Sequence, residues 1–339
     1  MSYALVPASM NILLTLYSSL QPAPTGLEGM PKFSTSLGCS DAPYTYSADH
    51  TTWTIPVGDG DDHAINLDGQ AFGTLTIDEV APGATDVEFT MVLRTNDKSL
   101  LDAVSLAFPA SKSEVDLSTP KFSGSSCMRY DITLRVPANL KKLGIRARST
   151  TQVRFASGAH VSLDKLSVTT YGDSTDNLLL PNTGVLAKHL ALEMTRGWLV
   201  GEVALVDSVD LKTQRGDAMA NVEVYPIALD TEDYDTNPPE AVLETATGSG
   251  RTNIFYINDL ESPHRPISSR HLSSRNGDLY LTYKKAEFNG HVEVKAASYT
   301  ATGVQGLFEK NGTVPWVGKP DGGDYLLAQS NKGWVGLYF

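Results

Sequence analysis

Residues that could do chemistry are thinly spread along this chain of 339 residues. Its seven histidines are scattered, and only Asp49-His50 and Asp62-His63 set a carboxylate beside an imidazole. Residues adjacent on a strand point to opposite faces, so neither pair forms an acid–base couple in extended chain. Both read as exposed loop residues. His264 and His271 stand near Ser262, Ser268 and Ser269, the raw material of a hydrolytic site, yet no oxyanion-hole signature accompanies them. Gly-x-Ser-x-Gly, His-Glu-x-x-His, a phosphate loop, Gly-x-Gly-x-x-Gly and Cys-x-x-Cys are all absent. The sequence therefore predicts no catalytic residues and no cofactor.

Asp59, Asp61 and Asp62, in Val-Gly-Asp-Gly-Asp-Asp-His, are the metal candidates, because clustered carboxylate oxygens suit a hard cation such as calcium. The distal Glu of a full calcium loop is missing, and a solvated turn is the simpler reading. Asp321-Gly322-Gly323-Asp324 has the same status. Glu193, Glu202 and Glu223 fall on outward positions by alternation and could line a groove of the kind that glycan-cleaving enzymes use. Trp198, Trp316, Trp334 and Tyr325, with Tyr338, are the ligand-binding candidates, since their ring faces could stack on sugars or apolar groups. The competing role is to plug the ends of a stack, and Trp334 is read as such a plug.

The elements that must position these residues announce themselves between Leu190 and Val224, where one pattern is written twice. Leu190–Leu205 lies over Val209–Val224 without a gap, at an offset of 211 − 192 = 19 residues. In each copy an alternating apolar run (Leu190, Leu192, Met194; Val209, Leu211, Thr213) meets Arg-Gly, and a second run follows (Val203, Leu205; Val222, Val224). Alternation with period two marks strands, and Gly197 and Gly216 are placed where a turn needs positive φ. The pattern predicts equivalent corners at the two glycines. A weaker third copy is read at Leu281, Val292 and Val294. A period near twenty with two short strands per period is the signature of stacked coils.

Elsewhere strands are predicted at Thr52–Ile55, Gly73–Ile77, Asp86–Arg94 and Tyr130–Pro137, with short runs at Val161–Leu163 and Leu166–Val168. Residues 1–41, broken by Pro22, Pro24, Gly26, Gly29 and Pro31, read as an irregular N-terminal extension or cap, and 42–339 as one domain. Residues 230–252, rich in Asp, Glu, Pro and Gly, read as a long acidic surface loop, and 251–275 as irregular or edge structure. The expected fold is all-β: a β-solenoid, similar to a single-stranded β-helix, with stacked short strands and little helix.

Charge and cysteine content narrow the partners. Formal charge is 27 − 39 = −12, which repels phosphate backbones and anionic lipid, so no nucleic-acid partner is expected. The one basic cluster, Lys141, Lys142, Arg146, Arg148 and Arg154, reads as the wet face of strands. Ile12–Leu20 is too short to span a bilayer and a poor signal peptide, which leaves an intracellular or unconventionally released protein, with the cell surface as the alternative. The sequon Asn311-Gly312-Thr313 does not settle the compartment. Cys39 and Cys127 could pair or both be free.

The Gly-and-aliphatic phrases Asn276–Leu281, Phe288–Val294 and Gly333–Leu337, with the Leu-x-Leu coils, resemble the putative-adhesin domains, β-solenoid proteins of bacteria and fungi. Phe72–Leu75 and Pro263–Ile267 look closer to the fungal branch. The resemblance covers roughly residues 44–339 and implies architecture more than activity, with no catalytic set to carry over. It points to a non-enzymatic adhesin-like protein that presents a binding or structural surface to a glycan or protein. The alternatives are a hydrolase or lyase on a β-helix, which needs carboxylates clustered along a groove, and a sugar-binding lectin, which needs aromatic residues exposed together on one face.

Overall fold

The computed structural model describes residues 26–47, 51–109, 113–227, 238–258, 264–307 and 314–339. It is 57% strand and 2% helix. The described part of a first unit, Met1–Met30, is a turn in which the Met30 N–H donates to the Leu27 carbonyl at 3.1 Å. Pro31–Phe339 forms the second unit.

That unit begins with β1 (Tyr44–Thr45), β2 (Thr52–Ile55), β3 (Asp62–Asp68), β4 (Phe72–Glu79) and β5 (Val87–Thr95). A 3-10 turn (Lys98–Ala103), β6 (Ser105–Ala107), β7 (Glu114–Ser118) and β8 (Met128–Val136) follow. Then strands alternate between two faces. The first face takes β9 (Lys142–Ala147), β11 (Val161–Thr170), β13 (Val185–Met194), β15 (Ser208–Thr213), β17 (Ala241–Thr247) and β19 (Ile267–Ser273). The second takes β10 (Thr151–Phe155), β12 (Leu178–Leu180), β14 (Trp198–Leu205), β16 (Met219–Pro226), β18 (Arg251–Ile257) and β20 (Asp278–Lys285). The chain closes with β21 (Gly290–Thr302), β22 (Trp316–Val317) and β23 (Asp324–Tyr338).

Each strand hydrogen-bonds in parallel to the strand two places on, so one rung of the solenoid is one strand from each face. The alternating sequence makes this possible. Leu166, Leu190, Val209 and Leu243 stack in register on the inward side of the first face, as do Val168, Leu192 and Leu211. All seven are buried. A single rung could not bury these side chains, so stability comes from stacking, the nearest-neighbour logic of repeat proteins. At both ends the rungs depart from chain order. The β3/β4 rung lies between β7/β8 and β9/β10. Likewise β23, bent so that Ser268–Ser273 pair with its first half and Leu279–Thr282 with its second, lies between β19/β20 and the later-stacked β21. Antiparallel β5, β2 and β1 cover β8.

The 19-residue offset holds for the first face, where Leu192 pairs with Leu211, but not for the second. There Trp198 pairs with Met219 and Val203 with Val224, an offset of 224 − 203 = 21, because the second corner carries two extra residues. A slip of two leaves every side chain on the same face, which is why alternation alone could not detect it. The expected equivalence of Gly197 and Gly216 therefore fails. Gly197 has φ +119°, and a Cβ there would overlap the Asn177 carbonyl; Gly216 has no positive φ and room for a side chain.

The third copy is out of phase. Leu281 stacks in the column of Val222 and Ile254 on the second face, while Val292 belongs to the column of Leu326 and Ser269 on the first. Within the expected acidic loop, Ala241–Thr247 is strand β17, and the expected irregular stretch contains β18 and β19. Two exposed acidic residues, Glu240 before β17 and Glu244 within it, misled the reading, since Ala241, Leu243 and Thr245 keep the inward period. Residues 228–237, and with them Asp230, Glu232, Asp233 and Asp235, lie outside the described residues, as do Ile12–Leu20, Asp49-His50, Ser262 and the 311–313 sequon.

Candidate functional site

The outward side of the second face carries a group of aromatic side chains. Three strands build it. In β18, Arg251 and Phe255 alternate outward around the buried Thr252 and Ile254; in β20, Tyr280 stands outward between the buried Leu279 and Leu281. In β23, Trp334 and Tyr338 are outward around the buried Val335 and Leu337. Gly336 pairs with Tyr280, and a Cβ there would overlap the Trp334 ring and press on Tyr338. The glycine is the seat on which the indole lies.

Ring packing then fixes the layer. Trp334 and Tyr280 have centroids 4.7 Å apart at 52°, and the Arg251 guanidinium lies 3.7 Å over the Tyr280 ring. Arg251 Nε donates to Asn253 Oδ1 at 2.8 Å, and the Trp334 backbone N–H donates to Asp278 Oδ1 at 2.8 Å. A cation held over a ring is attracted to its quadrupole, and a side chain so held loses little further entropy when it meets a ligand. The Tyr338 hydroxyl is pushed up in pKa first by burial and then by Tyr280, with Arg251 opposing. It stays a neutral donor.

Further along the same face, Phe255 is 36% exposed and pairs with Glu223, which pairs in turn with Glu202. The Tyr225 hydroxyl donates to Glu223 Oε2 at 2.6 Å, and this bond, with burial and the Glu202 charge, raises its pKa to about 12. Trp198 stands in the column that runs through Met219, Arg251 and Asp278 to Trp334. At about 4.8 Å per strand, the two indoles stand roughly 19 Å apart along the solenoid.

The sequence candidates thus separate. Trp334 is an outward platform residue rather than the expected end plug, and Trp198 shares its face. Tyr325 lies on the first face, its hydroxyl donating to Glu293 Oε2 at 2.8 Å. Trp316 sits on β22 against β21, where Gly306 accommodates its ring. Arg251, Phe255 and Tyr280 were missed. Their outward placement was legible from alternation, but which rungs make them neighbours depends on offsets that vary from rung to rung.

The other candidates lie elsewhere. Asp61 has φ +52° in a turn closed by Gly58 and Asp62, and its carbonyl accepts from the N–H groups of Lys141 and Lys142. Asp59, Asp61 and Asp62 are not joined there by a further ligand, and among the described residues no group of three or more His, Cys, Asp and Glu side chains is arranged to hold a metal. Asp62 is exposed and His63 faces inward, on opposite sides of β3. His63 Nδ1 lies 2.7 Å from Ser113 Oγ, and burial lowers its pKa to about 4.

His271 is fully buried between Thr245 Oγ1 (2.9 Å) and the Tyr283 hydroxyl (2.8 Å), with its pKa lowered to about 3 by burial. Ser268 faces outward, while Ser269 is buried on the same inward side as His271. Asp324, expected in a solvated turn, is instead buried and accepts from the N–H groups of Ile267 (2.9 Å) and Asn289 (2.6 Å). Cys39 and Cys127 form a disulfide with Cα atoms 6.0 Å apart. Among the described residues no helix is long and apolar enough to cross a membrane.

No family model and no curated protein matches the chain. Among solved structures it is similar to a chain described as a putative adhesin from Bacteroides fragilis NCTC 9343, at 14% identity and a TM-score of 0.33, over 68% of this chain and 95% of that one. It is also similar to a putative cell adhesion protein from Clostridium sporogenes ATCC 15579, at 9% identity and a TM-score of 0.25, over 85% and 98%. Both sources are bacterial, so the fungal-branch resemblance has no support. Likenesses this distant carry no weight in the argument that follows.

Proposed function

We propose that this protein is a non-enzymatic, adhesin-like binding protein whose second solenoid face recognises glycans through the Trp334–Tyr280–Arg251 layer. The observation that carries the reading is the seating of Trp334 on Gly336 beside Tyr280, which holds the indole on the outward side of the rung. Aromatic faces cover the apolar side of a sugar ring, while Arg251 and Asp278, both partly exposed, supply a donor and an acceptor for its hydroxyls. A stack of rungs in place of mobile loops keeps the ordering cost of binding low. The disulfide supports the cell surface or an extracellular setting over the intracellular one, because such bonds persist in oxidising compartments.

A screen of immobilised glycans, followed by titration calorimetry, tests the proposal. Trp334→Ala and Tyr280→Ala should each weaken binding at least tenfold with the thermal melt still cooperative, and Tyr325→Ala on the other face should not. Unchanged binding in both platform variants rejects the site. Glu202 and Glu223, opposed on adjacent strands, give the enzymatic alternative its one specific observation. Turnover of a bound glycan that Glu202→Gln and Glu223→Gln abolish would replace binding with hydrolysis.

A further inference from the structure

The outward side of the first face holds a second feature, near its start. Lys142 on β9 stands directly opposite Lys165 on β11, a like-charge pairing that costs stability. Arg146 projects from the same side of β9, and among the described residues none of the three is in an ion pair. Lys142 Nζ reaches only the Gly60 carbonyl, at 3.3 Å. Nearby Asp164 is engaged by Lys188 at 2.8 Å and also lies within the field of Lys141 and Lys142. Asp62, the neighbour of Lys142 on β3, is the acidic limit of the patch on that side. A cationic surface of this kind is out of keeping with a chain of net charge −12.

Between Lys142 and Arg146 lies Gly144. Glycine inside a strand weakens it and usually marks a bulge, a bend or a close approach to the backbone. The ladder to β3 and β11 runs unbroken through Gly144, its φ is not positive, and a Cβ there would meet nothing within 4 Å. The fold therefore has no use for the missing side chain. Ser167 and Ala191 continue the low floor onto β11 and β13. Cations thus border a shallow trough that crosses the strands.

We propose that this trough binds an anionic glycan, with a sulfate or carboxylate group set between Lys142 and Lys165 and the sugar ring over Gly144. Charge complementarity selects the ligand class, and the small floor allows the ring to reach the backbone. The site is separate from the aromatic layer on the other face and does not depend on it.

Titration calorimetry with a heparin-derived hexasaccharide, and with an oligogalacturonide of equal length, tests this at low and at physiological salt. Binding is expected to at least one of them, weakening as salt rises. The double variant Lys142→Glu/Lys165→Glu should lose at least tenfold in affinity. Gly144→Val keeps every charge and should lose as much, with its melting temperature unchanged or raised. The proposal is overturned if neither oligosaccharide binds or if Gly144→Val binds normally. It is equally overturned if a DNA duplex or vesicles of anionic phospholipid bind as tightly.

Discussion

His264 Nε2 stands 3.1 Å from Asp324 Oδ1, and the carboxylate it meets is buried where three strands begin. The same Oδ1 accepts from the Ile267 N–H at the head of β19, and Oδ2 accepts from the Asn289 N–H just before β21. One side chain at the head of β23 thus ties three rungs. Asp324→Ala would leave both N–H groups without an acceptor and should cost about 2–5 kcal/mol in urea unfolding. The hydrogen bond to Asp324 raises the His264 pKa. Its contribution is full below pH 6.5 and is lost as pH rises through the folded value. His264→Gln should flatten that slope on the alkaline side and leave the acid side unchanged.

Acid should act through the two buried histidines. His63 and His271, lowered by burial to about 4 and about 3, stay neutral in the fold while the unfolded chain protonates near 6.5. Their stabilisation is complete above pH 6.5 and is lost as pH falls toward the folded values, at up to about 1.4 kcal/mol per pH unit for each. Calorimetry near pH 5 should find close to two protons taken up on unfolding beyond those of the carboxylates. Uptake near zero would refute their neutrality.

Leu211 sits in the inward column with Leu192 and is buried, so Leu211→Ala should cost about 2–5 kcal/mol. Glu223, outward and opposite Glu202, is a different case. Glu223→Gln relieves a like-charge pair and should shift stability by no more than about 0.5–1 kcal/mol, in either direction. Equal losses at the two sites would contradict the assigned faces.

Cysteines 39 and 127 close a loop across a sequence separation of 88. Loop-closure entropy for that length gives about 4.6 kcal/mol as an upper figure, so Cys127→Ser should lower stability by about 2–4 kcal/mol. Dithiothreitol should destabilise the parent by the same amount and leave the variant unaffected.

The faces of the strands were legible in the sequence because inward positions repeat every second residue, as at Leu190, Leu192 and Met194. The rungs were legible only where their lengths agree. Two extra residues in the corner after Thr213 moved Val224 rather than Val222 beside Val203, and no local pattern records such a slip. The aromatic layer failed to appear for the same reason. Tyr280 and Trp334 are far apart in sequence and meet only because β23 stacks on β20. Asp324 was misread because a carboxylate in an Asp-Gly-Gly-Asp turn looks solvated until the N–H groups of two other strands arrive to bury it.

The order of stacking also sets a timetable for synthesis. Because β23 fills the place between β20 and β21, the ribosome makes the outer rung before the inner one that must support it. At about 5–20 residues per second, the open edges of β19 and β20 wait on the order of seconds while the residues from Gly290 to Tyr338 are added. Through that interval the nascent chain offers unpaired strand edges to any neighbour, a hazard that a completed stack does not share. Polysome crowding, rather than heat, should therefore be the condition under which this protein misassembles, and slower translation after Lys285 should worsen its yield.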